Sequence, residues 1–407
     1  MMKRIAVTGV GLVTPLGLDA QTTFEGLAAG RSGLSFVENY DPSGEKVAVA
    51  GELKSAEVEK LAAQLPQEAR DRSSRFVYFA VAAAREALRQ AGNPQAEDGD
   101  RIGVVTGVGY GKPWPSEGYK VGPTTVIQAM PNAAAAWISI LEGVRGPNLA
   151  CSTACASGSH AIGIASDQIR MGRVTGMLAG GVDTVITRDV MRSFAWLRAL
   201  NTARDEEPTR MSRPFDRTRR GFVMGEGAGF LYLEDYDHAL ARGAHILAEM
   251  RGWGASADAH HVVAVAPGGE GMAQAIRRAI EDASLPPETI DYIAAHGTGT
   301  PMNDKEETLA IRKVFQNHAD RMLVSSQKSM LGHAMGGAGA ISAAVAVMTL
   351  AREVVTPTIN LRTPDPECDL DYVPNEARRT PVRAAIANSF GFGGHNSTLV
   401  FSHPEAF

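Results

Sequence analysis

Short apolar runs that alternate with helical patterns predict an α/β fold for this sequence. Strand character is found at Ile5–Thr8, from Arg101 towards Gly107, and at Gly176–Gly180, Gly227–Leu233, Ile290–Ala295 and Val382–Ala387. A strand, a glycine turn and a helix recur in both halves. That echo suggests an internal duplication with a join near residue 245, so residues 1–245 and 246–407 are read as two related units. In open α/β sheets, functional groups gather at the carboxyl ends of strands.

The composition supports a globular enzyme. The chain has 407 residues, 44% of them hydrophobic, enough for a large core. No long linker or low-complexity run divides it. A net charge of −5 gives no global reason to expect nucleic acid or an acidic membrane as a partner, so any basic docking site must be local. Three cysteines predict free thiols in a reducing, cytoplasmic setting rather than a disulfide framework. Met1-Met2-Lys3-Arg4 runs into a strand with no signal-peptide apolar region. The most apolar stretch, Gly336–Ala351, is broken by glycines and falls short of about 18 residues, which predicts a buried helix.

In chain order, Ile5 to Gly17 resembles a strand followed by a glycine turn. It is not a dinucleotide site, because Thr14-Pro15 falls where the third glycine and the helix should be. Its glycines are read as turn chemistry. Ser73 or Ser74 is placed to cap a helix from Arg75 through Leu88, ended by Gly92-Asn93-Pro94. Arg70, Arg72 and Arg75 lie at its start, either as a solvated face or as a receptor for an acidic partner. Lys112 does not belong to a phosphate loop, since Thr106 occupies the position of the first glycine.

From Asn148 to Ile162 a cysteine sits among small residues just as an amphipathic pattern begins. Ala161, Ile162, Ala165 and Ile169 recur at helical spacing, predicting a helix over Ala156–Met171 with Cys155 near its N-terminus. Free N–H groups and the positive dipole end favour thiolate, making Cys155 the candidate nucleophile. Cys151, four residues earlier, has no matching cysteine pair, so no metal site is predicted. His296 follows the strand Ile290–Ala295 and opens Gly297-Thr298-Gly299-Thr300-Pro301. Lys328 and His333 stand together before a glycine-permissive helix start. Asn388 to Asn396 is read as a glycine-rich loop holding Phe390 and Phe392. Each of these stretches is ambiguous alone.

Together they resemble the β-ketoacyl-acyl-carrier-protein synthases, the decarboxylating condensing enzymes of fatty-acid and polyketide assembly. Thr-Ala-Cys-Ala-Ser-Gly158, His-Gly-Thr-Gly-Thr-Pro301, Lys-Ser-Met-Leu-Gly-His333 and Asn-Ser-Phe-Gly-Phe-Gly-Gly394 occur in that family's order over nearly the whole chain. The resemblance implies a five-layered αβαβα thiolase-like fold from two duplicated halves. The first half would carry the cysteine and the second the histidines. It also implies an acyl-carrier protein as partner and a homodimer, or a heterodimer with a second ketosynthase-like subunit. No cofactor is implied beyond the phosphopantetheine that the carrier brings.

By the same resemblance Cys155 accepts the acyl group, and neutral His296 and His333 bind the thioester oxygen as decarboxylation makes it an enolate. Backbone N–H groups of Cys155 and Phe392 would form the oxyanion hole, with Phe392 as a swinging gate. Lys328 and Glu307 would form an ion pair behind the histidines; Glu307 also has a plain reading as N3 of a capping box headed by Asp304. Thr298, Thr300 and Phe390 would line the substrate channel. Tyr110 would floor the acyl pocket near the dimer interface, favouring a short or polar acyl group, or else pack sideways. Arg70, Arg72 and Arg213 would dock the carrier.

Gly299 stands where many relatives have serine, Asn303 where they often have glycine, and His395 where threonine is frequent. None of these removes a catalytic group. A thiolase would need a second cysteine in a C-terminal Cys-x-Gly, which Cys368 in Glu-Cys-Asp does not supply. A non-catalytic chain-length partner is disfavoured by the retention of Cys155, His296 and His333.

Overall fold

The computed structural model describes residues 3–112, 122–203 and 206–406. Ten strands form its main sheet: β1 (Ile5–Val13), β2 (Ile102–Gly107), β3 (Asn148–Cys151), β4 (Gly176–Asp183), β5 (Gly227–Asp235), β6 (Ala248–Ala257), β7 (Tyr292–Ala294), β8 (Leu323–Ser325), β9 (Ala384–Gly391) and β10 (His395–Ser402). They are ordered β8-β7-β9-β10-β6-β1-β5-β4-β2-β3. From either edge inward, each set of five runs third, second, fourth, fifth, first. The directions repeat as well. In each half the second strand is parallel to its third and fourth, and the fifth is antiparallel to the fourth and first. The halves join where β1 meets β6 antiparallel, Ile5 opposite Met250.

Alternation along the strands explains the layers. In β4, Met177 and Ala179 face the middle of the molecule while Leu178 and Val182 face outward. In β7, Tyr292 and Ala294 face the middle and Ile293 faces outward. Strands apolar on both faces read as continuous hydrophobic runs and need helices on both sides. The outer helices are α1 (Arg75–Gln90) and α2 (Ala133–Glu142) on the first half, α4 (Glu270–Ala283) and α5 (Pro301–Phe315) on the second. Between the two sets of strands lie α3 (Ser157–Arg170) and α6 (Ala338–Arg352), which pack on each other and on strands of both halves. The result is the expected five-layer αβαβα arrangement. In α6, every residue from 338 to 350 is buried, and its small Ala and Gly residues let the layers approach closely. Together with the preceding turn it is the one segment among the described residues long and apolar enough to cross a membrane, but it is core. Burying each Leu or Ile of this core contributes about 1.5–3 kcal/mol.

Several expectations are corrected. Gly9 and Gly11 are not turn residues; they lie inside β1, where a side chain would collide with the carbonyl oxygens of Ala87 and Ala83 on α1. Ser74 is the N-cap residue of α1, yet its hydroxyl donates to the Gln128 carbonyl at 3.1 Å instead of capping. The region 388–396 is not one loop: β9 and β10 pair through Gly391 and His395, leaving only residues 392–394 as a turn.

Candidate active site

Past the end of β3, the chain turns tightly before α3, with Ala154 in the left-handed region at φ 51°. The Ser157 hydroxyl accepts from the Thr153 N–H at 2.9 Å and donates to the Ala154 carbonyl at 2.6 Å. This holds Cys155 at the mouth of the helix, buried to 5% exposure. Lys328 and the backbone N–H groups of Phe392 and of Cys155 itself favour the thiolate. Burial outweighs them, aided by the charge of Asp183, and the thiol is pushed up to about 11. The expected lowering at the helix N-terminus is therefore overturned: the resting sulfur is protonated, because taking the anion out of water costs more than these dipoles return.

Phe392 reaches the sulfur because Gly391 has no side chain; a Cβ there would stand 2.9 Å from the Thr153 carbonyl oxygen and 3.1 Å from the Cys155 nitrogen. The Phe392 ring stacks on Phe194 at 6.1 Å between centroids.

His296 follows β7 and His333 precedes α6; their rings meet edge to face, 5.4 Å between centroids. Burial and the Lys328 charge hold both well below the usual histidine range, so both are neutral. The Nδ1 atoms of both rings have no hydrogen-bond partner among the described residues. The His333 backbone is fixed by a segment of the first half: its N–H donates to the Val223 carbonyl at 2.8 Å and its carbonyl accepts from the Gly225 N–H at 2.9 Å.

The expected Lys328–Glu307 ion pair is not formed. Instead the two groups clamp the backbone of His296 from either side. Glu307 accepts from the N–H groups of His296 at 2.8 Å and Gly297 at 2.7 Å, while Lys328 Nζ donates to the His296 carbonyl at 2.6 Å. Burial pushes Lys328 down to about 8, with Glu307 opposing, and raises Glu307. The capping-box reading also fails. Thr300 is the N-cap of α5, accepting from Asn303 at 3.3 Å, so Glu307 lies in the second turn. Asp304 faces back and accepts from Thr298 and Phe215.

Cys155, His296 and His333 converge on one open-mouthed cavity, with Phe390, Phe392, Thr298 and Thr300 on its walls. Phe390 meets His296 edge on at 5.8 Å, and the Thr298 and Thr300 hydroxyls lie 3.0 Å apart. Tyr110 does not line it. Its ring is 46% exposed and packs sideways, edge-on to Phe194. Arg72 is exposed and bonded to Glu68 at 2.6 Å. Arg70 is partly buried. Arg213 is largely buried and paired with Glu206, so its charge is already answered. Phe222, Met335, Val263 and Met272 are among the other wall residues and were not picked out from the sequence. They carry no local signal, since an apolar wall residue and an apolar core residue look alike in sequence.

A duplicated five-layer αβαβα fold, with a thiol at a strand end of one half and two histidines at strand ends of the other, defines the thiolase-like class. Within it, residues 2–239 match the beta-ketoacyl synthase N-terminal domain and residues 247–362 the C-terminal domain, so the chain belongs to the β-ketoacyl synthase family. It is 43% identical to a 3-oxoacyl-[acyl-carrier-protein] synthase 2 of Synechocystis, over 98% of both chains. It is 42% identical to the protein of that name in Staphylococcus aureus, over 99% of both. Among solved structures, a beta-ketoacyl synthase from Burkholderia phymatum superposes with a TM-score of 0.91 at 35% identity, over 99% of this chain and 100% of that one. A type II PKS ketosynthase in complex with its acyl-carrier protein and bound to a hexaketide gives 0.89 at 33%, covering 100% of both.

Proposed function

We propose that the chain condenses an acyl group held on Cys155 with malonyl-acyl-carrier protein, releasing carbon dioxide and giving a β-ketoacyl-carrier protein. The observation that carries this reading is the convergence of a buried thiol and two neutral histidines on one cavity. In loading, the Cys155 sulfur attacks the acyl thioester carbon and the bond to the carrier thiol breaks. The proton of Cys155 leaves with that thiol. The backbone N–H groups of Cys155 and Phe392 take the oxyanion. In the second half, the malonyl carbon–carboxylate bond breaks and its electron pair forms an enolate. His296 and His333 donate to the enolate oxygen. The carbanion carbon then attacks the acyl carbonyl, and Cys155 leaves as thiolate and takes a proton from solvent.

Lys328 and Glu307 act as positioning residues for His296. The lysine charge also keeps both rings neutral, and so able to donate without holding a fixed positive charge. Thr298, Thr300 and Phe390 line the passage for the carrier's phosphopantetheine arm, and no other cofactor is invoked. Arg72 and Arg70 meet the acidic carrier, with Arg213 secondary because Glu206 answers it. The join of the halves falls between residues 245 and 246. The enzyme works in the cytoplasm as a dimer, either of two copies or with a second ketosynthase-like subunit. Tyr110 is the group through which a partner subunit reshapes acyl length.

The test is intact-protein mass after incubation with a panel of acyl-carrier proteins. An acyl adduct on Cys155 is expected, and its mass names the preferred chain. A folded protein that takes no acyl group from any carrier would make it a non-catalytic chain-length partner instead.

A further inference from the structure

One buried carboxylate in the first half takes no part in the chemistry above. Asp183, the last residue of β4, is fully buried, and no cation pairs with it among the described residues. Its Oδ1 accepts from the N–H groups of Tyr110 at 3.0 Å and Gly111 at 2.8 Å, and its Oδ2 from Gly109 at 3.0 Å and Gly336 at 2.7 Å. Three of these donors belong to the loop after β2 in the first half. The fourth belongs to the second half, three residues after His333 and one after Met335, which lines the cavity with a left-handed φ of 47°. The two segments touch backbone to backbone, because a side chain at Gly336 would overlap the Gly109 nitrogen. Four N–H donors occupy all the lone pairs a carboxylate offers.

We propose that Asp183 is a positioning residue that fastens the thiol-bearing half to the histidine-bearing half, so that acyl-Cys155 and the enolate held at His333 meet in register. This rests on the condensing reading. Loading needs Cys155 and, from the second half, only the Phe392 N–H carried by the β9–β10 turn, whereas carbon–carbon bond formation also needs the His333 segment at a fixed separation from Cys155. A shift of about 1 Å between reacting groups can cost up to about 10²-fold in rate. Burial raises the carboxyl to about 6, so it is ionised at neutral pH. Its charge also works against the Cys155 thiolate, opposing Lys328.

The test is Asp183→Asn in the full-length enzyme. Asparagine keeps the shape but presents an NH₂ group to two backbone N–H donors, so half of the clip is lost. Acyl loading of Cys155, read by intact mass, should stay within about threefold of the parent, and condensation at saturating malonyl carrier should fall at least about tenfold. Asp183→Glu, which keeps both acceptor oxygens, should restore part of the loss. Alkylation of Cys155 by iodoacetamide at pH 8 should be faster in the Asn variant, because the charge that opposes the thiolate is gone. Equal losses in loading and condensation, or condensation at the parental rate, would overturn the proposal. Should the Asn variant not fold, hydrogen exchange in the parent decides: the amides of residues 109–111 and 336 should share one protection level, and independent exchange refutes the clip. Alkylation and exchange need no carrier, so a parent that alkylates but never accepts an acyl group counts against the condensing reading alone.

Discussion

After its third strand the first half delivers Cys155 and enters α3; after its third strand the second half delivers Lys328 and His333 and enters α6. The loop after the second strand carries Tyr110 in one half and His296 in the other. Both loops are held by buried carboxylates that accept backbone N–H groups, Asp183 in the first and Glu307 with Asp304 in the second. Topology and support are thus repeated while the reactive groups are not. The duplicated frame supplies two sets of strand ends facing one cavity, and the proposed division of labour between nucleophile and enolate binder lies in a few loop side chains.

The sharpest break in this comparison is Cys155→Ala. Loading and condensation should vanish, while Cys151→Ala, whose thiol donates to the Ser157 carbonyl at 3.4 Å, should leave both near parental. Mass measurement of the acyl adduct checks both, and an adduct on Cys151 would reverse the assignment.

On the other half, His296→Ala or His333→Ala should lower malonyl decarboxylation by about 10²–10³, as loss of one oxyanion donor does elsewhere, with loading of Cys155 preserved. Carbon dioxide release followed against acyl loading separates the two. If loading fell as far as decarboxylation, the halves would not divide the reaction as described.

Lys328 bridges them electrostatically. With the thiol at about 11 and the lysine at about 8, alkylation of Cys155 should rise tenfold per pH unit below 8. It should rise less steeply above 8, because the lysine loses the charge that stabilises thiolate. Lys328→Ala should be slower at pH 7 by several-fold and show no such bend. A bend retained in that variant would mean another group is responsible.

Charge reversal at Arg72 should raise KM for the carrier a few-fold and reduce its salt dependence, since exposed charges steer encounter. Arg213→Glu should do less, because Glu206 already occupies its guanidinium. The smallest effect is expected from Tyr110→Ala. Its exposed ring should leave condensation near parental and change only the acyl-length profile, read by product mass, if a partner subunit covers it.

The strands that were legible, such as Gly176–Asp183 and Gly227–Asp235, are those buried on both faces and rich in aliphatic residues. β6 was not legible, because Gly252 and Gly254 interrupt its pattern where α4 presses against it. Three site residues stood out through glycine-rich surroundings and strand-end positions. The protonation state of Cys155 did not, since that thiol depends on burial by segments distant in sequence. Nor did the partners of Glu307 and Lys328, whose meeting at the His296 backbone is fixed by the packing of α5 and β8 rather than by spacing.

The turn 392–394 has a consequence for how the chain is made. The backbone that closes over the thiol comes from β9 and β10, which follow every other strand, and α3 packs partly on β10. During synthesis the first half emerges with an apolar helix face and an uncovered thiol, and these long-range contacts can only form late. Reactive sulfur and sticky surface therefore stay open together until the second half arrives. The nascent N-terminal half is accordingly the stage most exposed to oxidation and aggregation.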